Sequence, residues 1–597
     1  MKIKLYVAAL FAAFSIGLLS SCEDMFDIPS NRVVIEPEIG STLDSVYYTL
    51  GALHSMRKVA DRYVILGEVR GDMALISENT KTSLRNLANF DYEADNEYLN
   101  VRDYYNVINN CNYAVAKMDT TLAVNNQRVM IDEYAAMQGI RAWTYLQLAI
   151  NYGKVPYYTY PIVSEGDVDK AYAEGKKDVK AIAEDLALQL APYLDYELPA
   201  FAETSGGYPI LRLVLADLYL WSGDYESAVN CYRDYFMKNK KRSYTAGSTD
   251  PVMQPGYYSL GGNFMTIASY NPDRKKYTTE SAQEIVKKFE DTAKPLEGYQ
   301  SSMEKGKENL ACIFMEASGD DGIASELKKL FTASSEKTHL RPSNSWKTLN
   351  ASQALYKFEK LKDKDTLYVI TSDAKDLRSV PYWESKSGDE EGETIDSYNK
   401  FSTDIIIYRR SIAYLRWAEA LNSLAKQRYD VAPDSKEARQ FAEDAFHLLK
   451  DASLVFFPKG SDVRNRFNRF EKEIQAEFTG VHARGCPDVA LDTTVFILDL
   501  AKKYKSEPSN FTFNDTIEYI DNLIIDELAL ESTLEGNRFG DLIRFAKRRQ
   551  AWGDGNYRDF LAKRVAERGV NEEETMRDEE LYNKLNDSEE YWYLPFK

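Results

Sequence analysis

The sequence predicts a mainly α-helical protein in which about four tetratricopeptide-type helix pairs support a loop-rich region with a few short strands. Three observations predict this fold class. Apolar residues recur with helical spacing over much of residues 39–236 and 401–597. Residues 216–232 match one tetratricopeptide unit. Between residues 237 and 400 the helical spacing fades, Gly, Ser, Pro, Lys and Tyr become frequent, and strand-like runs such as Thr366–Thr371 occur.

The N-terminus has the pattern of a lipoprotein signal peptide. A short positive segment is followed by an apolar run from Leu5 to Leu19, and this run is shorter than the ~20 residues that a membrane-spanning helix needs. The sequence Leu19-Ser20-Ser21-Cys22 resembles the lipobox of bacterial lipoproteins, whose cysteine carries the lipid. We therefore expect residues 1–21 to be removed and Cys22 to be the lipid anchor. The alternative is an ordinary cleaved signal followed by a chance cysteine.

The segment after the anchor reads as an extended tether, residues 22–38, and the body follows at residues 39–597. Acidic residues directly after Cys22 resemble the surface-export signal of Bacteroidetes lipoproteins, which predicts the outer face of the outer membrane; they are Glu23, Asp24 and Asp27. No later stretch is apolar over a length that could cross a membrane. Attachment to the membrane is therefore expected through the N-terminal lipid only.

Four amphipathic helices are predicted in the first part of the body, residues 39–236. They cover about residues 42–60, 98–118, 131–150 and 179–194. The third has clear termination chemistry, since Gly153 follows its last apolar turn and Pro156 lies just beyond.

The clearest repeat unit lies at residues 216–232. Small Ala216 and Ala228 allow paired helices to approach closely, and Gly223 permits the tight turn between them. The aromatic residues expected to fill the groove are Tyr219, Tyr225 and Tyr232.

A second, partial unit lies at residues 413–421 and is partnered by residues 436–450. Such helix pairs cannot bury their apolar faces alone, so three or four of them are expected to stack. Trp143, Trp221 and Trp417 lie within these helices and are expected in the core.

The composition excludes several classes of function. A net charge of −19 argues against nucleic-acid binding, which requires a basic surface. The sequence has no phosphate-binding loop, no dinucleotide fingerprint and no H-E-x-x-H, so no cofactor and no metal are predicted. His482 and Cys486 are the one His/Cys proximity, and they lack two further ligands nearby. The 42 tyrosines suit a recognition surface, because each combines an apolar ring with a polar tip.

Five segments together resemble the SusD/RagB family. In chain order they are Tyr105–Asn112 (family pattern Y-x-x-I-x-x-x-N), Arg141–Pro156 (R-A-x-x-Y-x-x-L then Y-G-x-V-P), Arg410–Leu424 (R-x-A-E-x-x-L-x-x-A-E-A), Asp526–Phe545 (E-R-x-x-E-L-x-x-E-G-x-R-x-x-D-L-x-R) and Tyr593–Phe596 (L-P-I-P). The third segment matches less closely and the last is cut short. The resemblance covers nearly the whole chain beyond Cys22.

This resemblance implies a non-catalytic surface lipoprotein of Bacteroidetes. Members of the family have four tetratricopeptide units, bind oligosaccharides or, in the RagB branch, peptides, and sit as lids over a SusC-like TonB-dependent transporter. For this chain it implies capture of oligosaccharides and their delivery to such a transporter. Peptide binding on the same architecture, a tetratricopeptide scaffold for protein assembly and a surface hydrolase are the alternatives.

The charged residues of the fourth segment have two interpretations. Glu535, Arg538, Asp541 and Arg544 follow one another at intervals of three, so opposite charges are neighbours on a helix. Paired carboxylates suggest acid–base chemistry. Buried ion pairs that order a helix terminus are favoured, with Gly536 serving the backbone geometry.

Sugar sites combine exposed aromatic rings with polar side chains, and such residues occur on several irregular segments of this sequence. In the family the loop between the first two helices supplies polar contacts, and here Asp72 falls near its R-x-D pattern. The candidate ligand-binding residues are Asp72, Asn79, Tyr92, Tyr98, Tyr257, Tyr258, Trp346, Tyr382 and Trp383. For each aromatic residue the alternative is ordinary packing of a loop.

Overall fold

The computed structural model describes most of the body of the chain. The described residues are 44–196, 198–199, 207–238, 309–315, 323–332, 338–352, 404–450, 512–570 and 576–596, with the strands at 270–271, 276–277, 355–361, 364–371, 383–387 and 394–398. Several predictions lie outside them: the signal peptide, the anchor Cys22, the tether at 22–38, the pair His482 and Cys486, the residues Tyr257, Tyr258 and Tyr382, and the side chain of Trp383.

The fold is mainly α-helical, as predicted. The helices are α1 (Asp44–Glu68), α2 (Thr82–Ala88), α3 (Arg102–Lys117), α4 (Ile131–Tyr152), α5 (Glu165–Glu174), α6 (Val179–Leu190), α7 (Leu211–Ser222), α8 (Tyr225–Lys238), α9 (Leu327–Phe331), α10 (Asn344–Ala351), α11 (Arg410–Val431), α12 (Lys436–Lys450), α13 (Phe513–Glu531), α14 (Arg538–Ala551), α15 (Tyr557–Ala566) and α16 (Glu579–Asp587). Within the described part of the chain, no helix is both long and apolar in the way that a membrane span requires.

The strands of the described residues form two-stranded antiparallel pairs. The pairs are β1 (Ala74–Ile76) with β9 (Leu340–Pro342), β2 (Ala123–Val124) with β3 (Gln127–Arg128), β4 (Val155–Pro156) with β5 (Lys176–Lys177), β6 (Tyr270–Asn271) with β7 (Lys276–Tyr277), β8 (Asn309–Ile313) with β14 (Ile405–Arg409), β10 (Leu355–Leu361) with β11 (Lys364–Thr371), and β12 (Trp383–Ser387) with β13 (Thr394–Tyr398). Eight of these fourteen strands fall in residues 237–400, where the sequence predicts a few short strands.

The predicted tetratricopeptide unit at residues 216–232 is confirmed as the packed pair α7 and α8. Gly223 ends α7 with φ +85°, a left-handed conformation that glycine adopts at little cost. Tyr225 and Tyr232 are buried.

The second predicted pair is α11 with α12, and α11 also packs against α8. At that contact the ring of Phe236 stacks on the ring of Tyr414, with 4.0 Å between centroids. The two predicted units are therefore neighbours in one helical core.

Three helix boundaries differ from the prediction by more than two residues. Helix α6 ends at Leu190 rather than at residue 194, and a separate 3₁₀ helix follows it at Ala191–Tyr193. Helix α1 continues to Glu68, because the apolar face persists through buried Val64, Ile65 and Leu66. Helix α3 begins at Arg102 rather than at residue 98, since a separate 3₁₀ helix, Glu97–Leu99, precedes it. In this 3₁₀ helix the amide of Tyr98 donates to the side chain of Asn96. Helix α4 ends at Gly153 (φ +72°), as predicted.

Of the three tryptophans predicted in the core, Trp143 and Trp417 are 2% and 1% exposed. Trp221 is half-buried and packs against this core from the last turn of α7. It also lines a pocket.

Candidate functional site

The fourth resemblance segment lies at the centre of a buried charge network. Its members are Asp72, Arg409, Glu419, Asp521, Glu531, Glu535, Arg538, Asp541, Arg544 and Arg548, each at most 7% exposed. We call this set the charge network.

Arg538 and Asp72 form one ion pair of the charge network. Arg538 donates from Nε and Nη2 to the two carboxylate oxygens of Asp72, at 2.5 and 2.7 Å. Burial alone would raise the pKa of Asp72, but the charge and hydrogen bonds of Arg538 lower this pKa below its ordinary value. Asp72 is therefore held ionised inside the protein.

Glu419 of α11 forms a second group of ion pairs in the charge network. Arg544 donates to both of its oxygens at 2.7 Å, and Arg548 donates to one of them at 2.5 Å. Burial favours the neutral acid, yet the two arginines lower the pKa of Glu419 below its ordinary value. Arg548 also donates to Asp521.

Two glycines, one in α1 and one in the turn before α14, allow these two segments to approach closely. Gly536 has φ +84°, and a Cβ atom added at Gly67 would lie 1.9 Å from its carbonyl oxygen. The carboxylate of Glu68 accepts from the amide nitrogen of Gly536 at 2.8 Å. Helix α1 and this turn therefore touch through their backbones. The positive φ of Gly536 agrees with its predicted role in the backbone geometry.

The prediction of structural ion pairs is confirmed, with different partners. Within the segment, Arg544 pairs with Asp541 at 2.8 Å. Arg409 pairs with Glu535 at 3.2 Å, across 126 positions of the chain. These carboxylates are enclosed by arginines and order the fold, which is the favoured of the two interpretations.

The charge network borders a polar pocket between α1, α4, α7, α11 and α14. Its charged and aromatic wall is made of Asp217, Trp221, Arg416, Asn537, Asp541 and Arg544. The guanidinium carbon of Arg544 lies 5.3 Å from the centroid of a Trp221 ring. We call this cavity the polar pocket.

Asp217 and Arg416 form an ion pair in the wall of the polar pocket. Arg416 donates to Asp217 at 2.5 Å and to the side-chain oxygen of Asn537 at 2.8 Å. Tyr408 and Tyr232 also donate to Asp217, so both of its oxygens are occupied.

Two polar atoms of the wall lack a hydrogen bond. They are Nε of Arg416 and Oδ2 of Asp541, and both are buried. Burial raises the pKa of Asp541 above its ordinary value, although Arg544 and Arg416 act in the opposite direction. These two atoms are therefore enclosed by the residues around the pocket and keep an unsatisfied donor and an unsatisfied acceptor in the interior.

Three predicted ligand-binding residues lie in the interior, and burial contradicts their predicted contact with ligand. Asp72 is 2% exposed and paired with Arg538. Trp346 is 1% exposed, and its indole donates to Thr533 at 3.0 Å. Tyr98 is 5% exposed, and its hydroxyl donates to Glu326 at 2.7 Å. For both aromatic residues the structure agrees with the alternative of packing.

Asn79 and Tyr92 keep some exposure and stay predictions. Asn79 is exposed. Tyr92 is half-buried, its hydroxyl lies 3.5 Å from the carbonyl oxygen of Tyr591, and burial raises its pKa to about 12. Neither lines the polar pocket.

Sequence reasoning missed the polar pocket. Trp221 was assigned to the core because its helix matched the repeat, while Asp217 and Arg416 lie 199 positions apart. One sequence feature could have indicated the pocket. Each of the two repeat helices carries a charged residue among its apolar ones, Asp217 in α7 and Arg416 in α11.

Comparison with known proteins finds similarity among solved structures. No family model matches the chain, and no curated protein matches it. A SusD superfamily protein from Bacteroides thetaiotaomicron VPI-5482 is 15% identical with a TM-score of 0.47, over 85% of this chain and 89% of that one. A SusD-like carbohydrate-binding protein from Bacteroides fragilis NCTC 9343 is 12% identical with a TM-score of 0.47, over 85% and 87%. A laminarin-binding SusD-like protein is 15% identical with a TM-score of 0.42, over 86% and 93%.

Proposed function

We propose that this chain is a non-catalytic, SusD-like binding protein that captures oligosaccharides at the cell surface. Cys22 anchors it to the outer membrane through lipid, and it delivers its ligand to a SusC-like TonB-dependent transporter.

One observation carries the proposal: the segments that resemble the SusD/RagB family contact one another through their motif residues. Arg141 of the second segment donates to Asn112 of the first at 2.8 Å. Arg544 of the fourth donates to Glu419 of the third at 2.7 Å. Chance matches scattered over a chain have no reason to meet in its interior.

The last segment behaves in the same way. The amide of Leu594 donates to the carbonyl of Asn151 at 2.9 Å, next to the Tyr152-Gly153 end of the second segment. A Cβ atom at Gly153 would lie 2.9 Å from the ring of Tyr593, so glycine is required for this contact. These contacts therefore support a helical core shared with the family, in addition to the similarity of the sequence motifs.

The ligand class is tested by isothermal titration of the mature protein against a polysaccharide panel and a peptide digest. We expect binding to at least one polysaccharide and no product release. Binding to peptides alone favours the RagB-like alternative. Binding to neither, together with a stable complex with other proteins, contradicts capture and favours the scaffold alternative.

The location is tested with Cys22→Ser in the full-length chain. We expect wild-type protein in the outer-membrane fraction, accessible to protease on intact cells, and the variant lost from that fraction. A variant that stays in the outer membrane would contradict anchoring through Cys22. Co-purification of a TonB-dependent transporter with the wild-type protein tests the proposed partner.

A further inference from the structure

Four residues along the first half of α1 lie on one face of the helix and line a groove. Their spacing of three and four positions brings their side chains into one row. Each of the four keeps some exposure to solvent. The row consists of Leu50, Leu53, His54 and Arg57. We call this cavity the α1 groove; it shares no lining residue with the polar pocket.

The rest of the groove wall is mainly apolar. It includes Ile313 at the end of β8 and the next residue, Phe314. Met56 also lines the groove and is 1% exposed, so it lies at the inner end. Leu50 and His54 are exposed and lie at the open side.

The α1 groove has room for a small molecule. The space that water centres can occupy in it is about 110 Å³, and one water molecule needs ~10–15 Å³ of such space. About seven to eleven non-hydrogen atoms of a ligand therefore fit. Apolar walls gain free energy when an apolar group replaces the water beside them, so the body of the ligand should be apolar.

The polar groups of the wall select the charge of the ligand. His54 and Arg57 can carry positive charge, and no Asp or Glu is among the described residues that line the groove. A guanidinium has five N–H donors, so Arg57 can bind a further acceptor beside those that it already has. An imidazole donates an N–H in either protonation state. An anion therefore meets hydrogen-bond donors without a like charge, whereas a cation meets a like charge alone.

We infer that the α1 groove binds a small monocarboxylate. Its apolar body packs against Leu53 and Ile313, and its carboxylate accepts hydrogen bonds from Arg57 and His54. The inference goes beyond the proposed function, because it gives the protein a second ligand that is not a saccharide.

The probe is hexanoate, titrated by calorimetry into the mature protein. Hexanoate has about eight non-hydrogen atoms, which suits the volume of the groove. Hexanamide has the same shape without the charge, hexylammonium carries the opposite charge, and acetate lacks the apolar body. We expect hexanoate to bind about tenfold more tightly than hexanamide, the usual effect of a hydrogen-bonded charge. Hexylammonium and acetate should bind more weakly still.

Arg57→Gln tests the charge of the groove. It should weaken the binding of hexanoate about tenfold and leave the binding of hexanamide unchanged, because it removes the charge and keeps a polar side chain. The matched control is Lys58→Gln, which removes a positive charge from the next residue of α1, outside the groove lining. Lys58→Gln should bind hexanoate like the wild type.

Leu50→Asp tests the open side of the groove. A carboxylate at this position would repel hexanoate and should weaken its binding about tenfold. Leu50 is 41% exposed, so the variant should fold. The control is Leu188→Asp, at a leucine of α6 that is 76% exposed and lies outside the groove lining. Leu188→Asp should bind hexanoate like the wild type.

Three outcomes overturn the inference: hexanoate does not bind, hexanamide or hexylammonium binds as tightly as hexanoate, or Arg57→Gln and Leu50→Asp both bind hexanoate like the wild type. Control variants that lose as much affinity as the groove variants would place the carboxylate elsewhere and would also overturn it. None of these outcomes bears on oligosaccharide capture, which the polysaccharide panel tests separately.

Discussion

Arg538 and Asp72 form a two-point ion pair that joins residues 466 positions apart in the chain. The arginine begins α14, and the aspartate follows α1. Arg538 also donates to the carbonyl of Ile525 in α13, at 2.8 Å. One guanidinium group therefore ties together three separate parts of the helical core.

Removal of either partner of this pair should destabilise the protein strongly. Asp72→Ala leaves the guanidinium of Arg538 buried without its paired carboxylate, and breaking a buried ion pair in this way typically costs about 3–5 kcal/mol. The free energy of unfolding, measured in urea, should fall by that amount. Arg577→Ala is the control, because its pair with Glu579 lies at the surface, where such pairs contribute about 0–1 kcal/mol. Equal losses in the two variants would contradict the buried role.

Gly67→Ala should prevent correct folding. The added Cβ atom would lie 1.9 Å from the carbonyl oxygen of Gly536, and backbone on both sides leaves no flexible group to move away. We expect little soluble protein and a lost cooperative transition. Gly51→Ala, in the same helix with open space around it, should be neutral or stabilise by up to ~1 kcal/mol. A Gly67→Ala protein that unfolds like the wild type would show that the two backbones do not touch.

Periodicity predicted much of the helical fold, because helix formation depends on residues three and four apart. The pair α7 and α8 and the pair α11 and α12 were read from this spacing. The pairing of residues in the charge network could not be predicted from this spacing, because Asp72 and Arg538 meet only after the chain has folded. The buried character of the segment was predictable; the identity of its partners was not.

Two candidate aromatic residues, Tyr98 and Trp346, are buried for a related reason. Sequence shows that Trp346 lies in a segment of weak periodicity, and exposure was inferred from that. The short helix α10 instead turns its indole toward Tyr398, edge-on at 5.7 Å between ring centroids. Whether an aromatic ring of an irregular segment faces inward depends on neighbours distant in the chain.

Trp346→Ala should therefore act on stability. Loss of a fully buried tryptophan costs about 3–5 kcal/mol, and the hydroxyl of Thr533 loses its donor. Tyr591→Ala, at a ring that is 42% exposed, should change the free energy of unfolding by less than about 0.5 kcal/mol. Urea denaturation of both variants checks the contrast. If the Trp346→Ala protein unfolds with the same free energy as the wild type, the buried position of Trp346 is contradicted.

Asp72 and Asp541 should give stability opposite dependences on pH. Arg538 lowers the pKa of Asp72 below 3.8, so its contribution is present above pH 3.8 and is lost as the pH falls through the lowered pKa. Burial raises the pKa of Asp541 above 3.8, so its contribution is present below pH 3.8 and is lost as the pH rises through the raised pKa. Measuring urea unfolding from about pH 3 to about pH 7, we expect the deficit of Asp72→Asn relative to the wild type to grow with rising pH in the acid part of this range. The stability of Asp541→Asn relative to the wild type should instead improve above pH 3.8. Parallel pH profiles for the two variants would contradict the opposite directions of the pKa shifts of these two buried carboxyl groups.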